Sequence, residues 1–285
     1  MKKIYCILII LCIIVVPFAG CNKETDTSFR VMSFNIRTIA SEPNPLDNWS
    51  NRKDFVLEVL DKYDADIIGF QELIIPIQFD VVAGHLTGYG SYGLVREGGS
   101  VGECTAIFYK KSRFELISSE TFWLSETPEK ASKDWDAGSY RTCTVVKLKD
   151  LITGKEITHY NTHFDNHSDL ARTNSVNLVL ERMGDLDGVI LTGDFNFHEG
   201  TDNYLRIISE NLSDSKYLAP EDCSDTGGTT HGFGTHTRET PIDYILLTES
   251  FFKVNKFQII RDTDENGRYP SDHFPIYADI DYING

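Results

Sequence analysis

What this chain lacks narrows its reading first. Its six cysteines show no metal-site spacing, and beyond the leader only Cys21, Cys104, Cys143 and Cys223 remain. A disulfide framework is therefore excluded. Buried apolar thiols are expected, with room for at most one disulfide in an oxidising compartment. The nine prolines and 21 glycines form no linker-like stretch, and no repeat or low-complexity tract occurs, so one domain is expected. There is no basic run and no stripe of interleaved basic and aromatic residues. With 27 Lys and Arg against 43 Asp and Glu, the formal charge is −16. A protein that grips long nucleic acids without sequence preference neutralises several phosphates with cationic side chains, so this balance disfavours such a partner. A phosphate-binding P-loop and a Ser nucleophile elbow are also missing, which removes two large enzyme classes.

The one long apolar run lies at the start. Lys2 and Lys3 precede the apolar residues 4–17, and Phe18-Ala19-Gly20-Cys21 follows with small residues before a cysteine. The run is too short to span a bilayer comfortably and has the layout of a secretory leader. It resembles a bacterial lipoprotein signal, which implies removal of residues 1–20 and acylation of Cys21. Residues 21–28 are then a polar tether and residues 29–285 the folded domain. Loss of Lys2 and Lys3 takes the charge from −16 to −18. The expected location is the cell envelope, with the domain lipid-anchored on the periplasmic or outer-surface face of a bacterial membrane.

Residues 30–36 read as a strand. Residues 51–63 read as a helix, with Val56, Val59, Leu60 and Tyr63 at helical spacing and Asn51 and Asp54 at its start. Residues 65–70 are a short buried strand, with Glu72 just past its end. Further strands are expected at 106–109, 114–118, 142–147 and 157–162, the last two joined by a turn at Thr153-Gly154. Residues 169–183 form a second amphipathic helix, 188–191 a strand and 203–212 a helix. Residues 243–247, 254–260 and 276–282 close the fold. Many strands with few helices between them fit two packed mixed sheets with helices outside.

Several of these buried runs end in hydrogen-bonding or charged residues. The segments are Phe34-Asn35, Gly69-Phe70-Gln71-Glu72, Asn161-Thr162-His163-Phe164-Asp165, Gly193-Asp194-Phe195-Asn196 and Ser271-Asp272-His273, the last preceded by Asp243. Burying such groups costs free energy unless they pair or bind a cation, so their repetition predicts convergence on one site. In order and spacing, from Arg30 to about Ile280, the segments resemble the endonuclease/exonuclease/phosphatase superfamily, the deoxyribonuclease I-like phosphoesterases. The resemblance implies an α+β fold, a four-layer αββα sandwich of two packed mixed β-sheets flanked by helices. The site would lie where strand ends meet.

The same resemblance implies roles. Glu72 would be the principal Mg²⁺ ligand, with Mn²⁺ an alternative, and Asn35 and Asp272 would help hold the ion. A hard divalent cation takes carboxylate oxygens and keeps several waters, so few acids suffice. Asp194 would orient or deprotonate the attacking water, and Asn196 would fix the scissile phosphate. His273, held by Asp243, and His163 would contact phosphate or water. Arg141 and His231 would line the substrate pocket, and the planar fork of arginine suits phosphate. His163 stands where abasic-site endonucleases of the superfamily carry Tyr, which tilts the reading away from DNA repair. The implied reaction is one-step hydrolysis of a phosphomonoester or phosphodiester by water, without a covalent enzyme intermediate.

The acidic balance then favours a compact substrate, a phosphorylated small molecule or a lipid headgroup, in a monomeric enzyme. An envelope nuclease acting on DNA or RNA is the alternative. A surface lipoprotein that binds without turnover is a second.

Overall fold

The computed structural model describes residues 27–185, 187–209 and 211–283, so the leader and Cys21 lie outside the described residues. Two six-stranded sheets pack face to face. The first has the strands β1 (Phe29–Asn35), β2 (Ile67–Ile75), β3 (Tyr89–Tyr92), β4 (Gly102–Lys110), β11 (Phe252–Ile259) and β12 (Ile276–Tyr282), in the order β11-β12-β1-β2-β4-β3. The second has β5 (Phe114–Trp123), β6 (Thr142–Asp150), β7 (Glu156–His163), β8 (Val189–Asp194), β9 (Ser213–Asp214) and β10 (Asp243–Leu247), in the order β5-β6-β7-β8-β10-β9.

Each sheet has one parallel pair near its centre, and each pair is joined by a helix crossing the outer face. The helix α1 (Trp49–Tyr63) links β1 to β2, and α3 (Asp169–Met183) links β7 to β8. The shorter helices are α2 (Phe79–His85), α4 (Asp202–Ile207) and α5 (Ser215–Leu218). This is the expected αββα sandwich.

Three apolar clusters hold the layers. Val56, Val59 and Leu60 of α1 pack on Met32, Phe34 and Phe70 of the first sheet, and Val176, Val179 and Met183 of α3 pack on Tyr160 and Leu191 of the second. Between the sheets lie Val31, Ile67, Ile107, Val146, Ile190, Ile245 and Ile276. The side-chain spacing of both long helices forecast their buried faces. The Ser168 hydroxyl caps α3 by accepting from the Ala171 N–H at 3.1 Å. Cys104 and Cys143 are buried free thiols and Cys223 is a half-buried one.

Several expected elements differ in extent, among them β4 and β5, which run longer than expected. Strand β2 does not stop before Glu72 but runs on to Ile75. The expected helix 203–212 ends at Ile207, because the chain then turns to place Ser213 and Asp214 beside β10. Helix α2 and strand β3, absent from the sequence reading, complete the first half.

Candidate active site at the polar end of the sheets

Inward-facing residues alternate along each strand, and at one end of the sandwich they become polar. Along β1 they run Phe29, Val31, Ser33, Asn35; along β7, Ile157, His159, Asn161, His163; along β8, Ile190, Thr192, Asp194. The register sets His163 opposite Asp194 and Asp194 opposite Asp243. Strand ends from both sheets therefore meet around one cavity of about 340 Å³. Its walls include Arg37, Glu72, Arg96, Glu103, Arg141, His163, Asp194, Asn196, Asp272 and His273.

A bulge places Glu72. Phe70 faces Ala106 and Leu73 faces Cys104, so Gln71 and Glu72 together oppose Thr105 alone. Glu72 takes a left-handed φ of 62°, and Arg37 (61°) and Asn196 (52°) do the same in neighbouring loops. Three non-glycine residues in this sparsely used conformation around one cavity mark a site where the surrounding structure imposes the geometry. Beneath them, glycines make room. A Cβ on Gly193 would lie 2.3 Å from the Thr162 carbonyl oxygen, and one on Gly69 2.3 Å from the Thr192 hydroxyl.

The acids are held by directed donors. Asn35 Nδ2 donates to Glu72 Oε1 at 3.1 Å and to Asp194 Oδ2 at 3.0 Å, and the Thr38 N–H donates to Glu72 Oε2 at 3.1 Å. Asn35 Oδ1 already accepts from the Arg37 N–H at 3.1 Å, so in this structure the amide spaces two carboxylates with its nitrogen. Arg37 lies 3.4 Å from Asp272 and 3.9 Å from Glu72. Asp194 Oδ1 accepts from the Asn196 N–H at 3.0 Å, and Asn196 Nδ2 donates to the Phe164 carbonyl at 3.0 Å.

Two histidines approach the same oxygen of Asp194. His163 Nε2 is 3.4 Å from Asp194 Oδ2, and His273 Nε2 is 3.8 Å from the same oxygen. His273 Nδ1 lies 2.9 Å from Asp243 Oδ2, which also accepts from the Thr229 hydroxyl. Burial pulls the His273 imidazole down, but Asp243, Asp194 and Asp272 outweigh it and push it up to about 10. Burial likewise pushes Glu72 up, and His163, His273, Arg37 and the Asn35 bond reverse this and hold it at about 2. Asp243 and Asp272 are raised by burial.

Arg141 is buried at the wall, and burial lowers its pKa against the opposing pull of Glu103. Its Nη2 donates to Asn166 Oδ1 at 3.3 Å, while Nε and Nη1 make no hydrogen bond. His163 Nδ1 also has none.

His231 is placed elsewhere. Its ring stacks on Phe274 with centroids 3.9 Å apart, its Nδ1 accepts from the Gly234 N–H at 3.1 Å, and it is not among the cavity wall residues. Asp243 sits behind His273. The predicted residues Asn35, Glu72, Arg141, His163, Asp194, Asn196, Asp272 and His273 are brought together.

Three residues escaped the sequence reading. Glu103 lies 3.6 Å from His163 Nδ1 and is paired by Arg96. Arg37 bridges the acids. Arg52, on α1, is buried without a carboxylate partner and donates to the carbonyls of Ile36, Arg37, Thr38, Asp47 and Pro270. It thereby ties the loop bearing Arg37 to the loop bearing Asp272, and burial lowers its pKa to about 10. A helical arginine between apolar positions Val56 and Trp49 was the available signal.

Asp194, Asp243 and His273 each offer a ligand atom within 4.8 Å of one another. Asp243 Oδ2 is already engaged twice, however, so this trio reads better as a hydrogen-bonded relay. Glu72, Asp194 and Asp272 line the same cavity and supply the carboxylate oxygens that a hard divalent cation prefers. A cluster of buried acids in one small cavity fits such an ion.

The model of the Endonuclease/Exonuclease/phosphatase family matches residues 32–273. A family protein of solved structure from Bacteroides thetaiotaomicron is 33% identical, with a TM-score of 0.82 over 91% of this chain and 99% of that one. A mannosyl-6-phosphatase from the same species is 32% identical, with a TM-score of 0.80 over 88% of this chain and 99% of its own. The human Nocturnin catalytic domain, at 22% identity and a TM-score of 0.70 over 90% of this chain and 94% of its own, shares the fold. No curated protein matches the chain in sequence. With the motif residues gathered as described, this chain belongs to the endonuclease/exonuclease/phosphatase family of phosphoester hydrolases.

Proposed function

We propose that this protein is a divalent-metal-dependent phosphatase acting on a phosphomonoester of a small polar molecule, a sugar phosphate in the first instance. The observation that carries this reading is Arg141, on the wall of a cavity that also holds Glu72, Asp194 and Asp272: its buried Nε and Nη1 make no hydrogen bond and reach carboxylates only at longer range, Asp165 at 3.6 Å and Glu103 at 3.9 Å. Buried donors without a hydrogen bond are costly, and phosphoryl oxygens would supply one. The cavity is small and almost wholly polar, and the chain is acidic, so a compact substrate fits better than a polymer. The likeness to a mannosyl-6-phosphatase along most of both chains supports a sugar ester.

Glu72 and Asp272 would hold Mg²⁺ or Mn²⁺, which when bound neutralises charge on the phosphoryl oxygens. Asp194, fixed by Asn35 and the Asn196 N–H, receives the proton of the attacking water. Arg141 and Asn196 hold the phosphoryl group against the wall. His163 and His273 flank the reacting oxygens as donors, and Asp243 fixes the His273 ring so that Nε2 points inward. The lipid anchor at Cys21 is also proposed, on the sequence of the leader.

The test is phosphate release with Mg²⁺ from mannose 6-phosphate, beside bis-p-nitrophenyl phosphate, sphingomyelin and plasmid DNA. Turnover of the monoester, lost in Asp194→Ala and His273→Ala, is the expected result. Faster cutting of DNA that falls steeply with salt would replace this reading with a nuclease. Binding of the sugar phosphate without turnover would replace it with a binding protein.

A further inference from the structure

We propose that the end of the sandwich opposite the cavity rests on the membrane surface, so that the active site opens away from the bilayer. This rests on the reading of Cys21 as lipid-anchored. The described chain enters the fold at this end. The Arg113 guanidinium donates to the carbonyls of Thr27 and Ser28 and to Asp150 Oδ2, which clamps the entry point to the β6–β7 turn. Thr27 further donates its hydroxyl to Asp281. Six residue steps separate Cys21 from Thr27, so an extended tether reaches about 20 Å at most. The cavity lies at the other end of β1, seven residues on, another distance of roughly 20 Å.

The entry point is flanked by side chains suited to a lipid surface. Leu151 and Ile152, in the β6–β7 turn, are 52% and 46% exposed, and Leu116 and Ile117, at the start of the edge strand β5, are 39% and 45% exposed. The Leu151 N–H donates to the Arg113 carbonyl, so turn and strand start are adjacent. Residues 110–115 carry Lys110, Lys111 and Arg113 against Glu115. Residues 147–156 carry Lys147, Lys149 and Lys155 against Asp150 and Glu156. Lys110 pairs with Asp64 and Asp66, Lys147 with Glu156 and the buried Arg113 with Asp150, so among the described residues Lys111 and Lys149 are the lysines here without an ion pair, in a chain whose formal charge is −16. Aliphatic side chains beside lysines suit the headgroup boundary of an anionic bilayer, where stems bury and ammonium groups meet phosphates.

A second exposed aliphatic set, Ile39, Leu46, Leu94 and Val101, lies on the loops that carry the cavity residues Thr38, Ala40 and Arg96. Contact through that set would turn the cavity toward the lipid. The short tether at the far end opposes it. The consequence is chemical: substrate arrives from the aqueous side, and headgroups of the anchoring membrane stay out of reach.

The test places the full acylated chain on vesicles of phosphatidylglycerol and phosphatidylethanolamine doped with a lipid whose headgroup bears a photoreactive diazirine. Adducts are mapped by mass spectrometry of peptides. Adducts concentrated in residues 111–117 and 149–155 are expected, and Leu151→Ser with Ile152→Ser should lower them several-fold while turnover of a soluble monoester is unchanged. Adducts in residues 38–46 or 94–101, or none on the folded domain, would overturn the proposal. The mass of Cys21 is read separately. An unacylated chain defeats the anchor and this orientation together, whereas an acylated chain labelled at the cavity rim defeats the orientation alone. Neither outcome bears on phosphatase activity, which the release assay measures independently.

Discussion

The two ends of the layer between the sheets are built from the same strands and differ in nearly every inward-facing side chain. At one end β4, β6, β8 and β10 offer Ile107, Leu148, Ile190 and Leu247; at the other they offer Glu103, Thr142, Asp194 and Asp243. The apolar end removes surface from water and contributes stability in proportion to the area buried. The polar end contributes little of that kind, because each hydrogen bond inside replaces one to water. What it contributes is position. Asn161 donates to the Phe70 and Ala106 carbonyls of the facing sheet, and Gln71 Nε2 donates back to Asn161 Oδ1 at 2.7 Å. These amides lock the register of one sheet on the other directly below the carboxylates of the cavity. One end holds the sheets together and the other holds them in place.

Substitutions at the two ends should separate these roles. The largest effect is expected from Asp194→Asn, which keeps the acceptor for Asn35 but loses the base. Turnover should fall by about 10³-fold, with the urea midpoint held. Equal loss of stability would mean that the polar end supports the fold after all. At the apolar end, Ile190→Ala should cost about 3 kcal/mol in urea unfolding while turnover per folded molecule persists. A large loss of turnover in the folded fraction would show the two ends to be coupled.

His159 lies between the ends, fully buried, with Nε2 2.8 Å from the Thr192 hydroxyl. Burial lowers its pKa to about 3, so it stays neutral in the fold while the unfolded chain takes up a proton near the ordinary histidine value. The unfolded state therefore binds more protons below that value, and stability is lost as pH falls from about 6.5 toward 3. The loss should be on the order of 2 kcal/mol at pH 5, read as the difference between urea curves at pH 7 and pH 5. His159→Gln should flatten that difference, and an unchanged slope would remove His159 as its source. The smallest effect is expected from Thr105→Val, whose hydroxyl lies 3.0 Å from that of Thr142 in the polar layer. A cost of about 1 kcal/mol in unfolding would mark it as a supporting group. A drop in turnover would place it nearer the chemistry.

The sequence disclosed the residues that face the cavity better than the chain geometry that delivers them. Asp194, Asn196, Asp272 and His273 were legible because polar groups closing a buried strand are anomalous wherever they occur. Helix α3 was legible to the residue from its apolar spacing. Glu72 was found, but the strand around it was cut short: a continuous apolar run was the signal in use, and Gln71 and Glu72 interrupt that run at the bulge. Arg37, Arg52 and Glu103 were missed for a related reason. Each acts through partners distant in sequence, such as Pro270 for Arg52 and His163 for Glu103, and a one-dimensional reading cannot see them. His231 shows the reverse error, a chemically suggestive ring whose place is under Phe274.

The left-handed turn of the backbone at Glu72 bears on any attempt to engineer this protein. A glycine or asparagine would adopt that conformation more readily, a relief of up to ~1 kcal/mol. Against it stands what the carboxylate accepts: the bonds from Asn35 and the Thr38 N–H, and the cationic neighbours that hold its pKa at about 2. Replacing Glu72 relieves the backbone and strands the donors around it, so survival on heating alone does not report what this position does, and a screen of this protein has to score turnover beside durability.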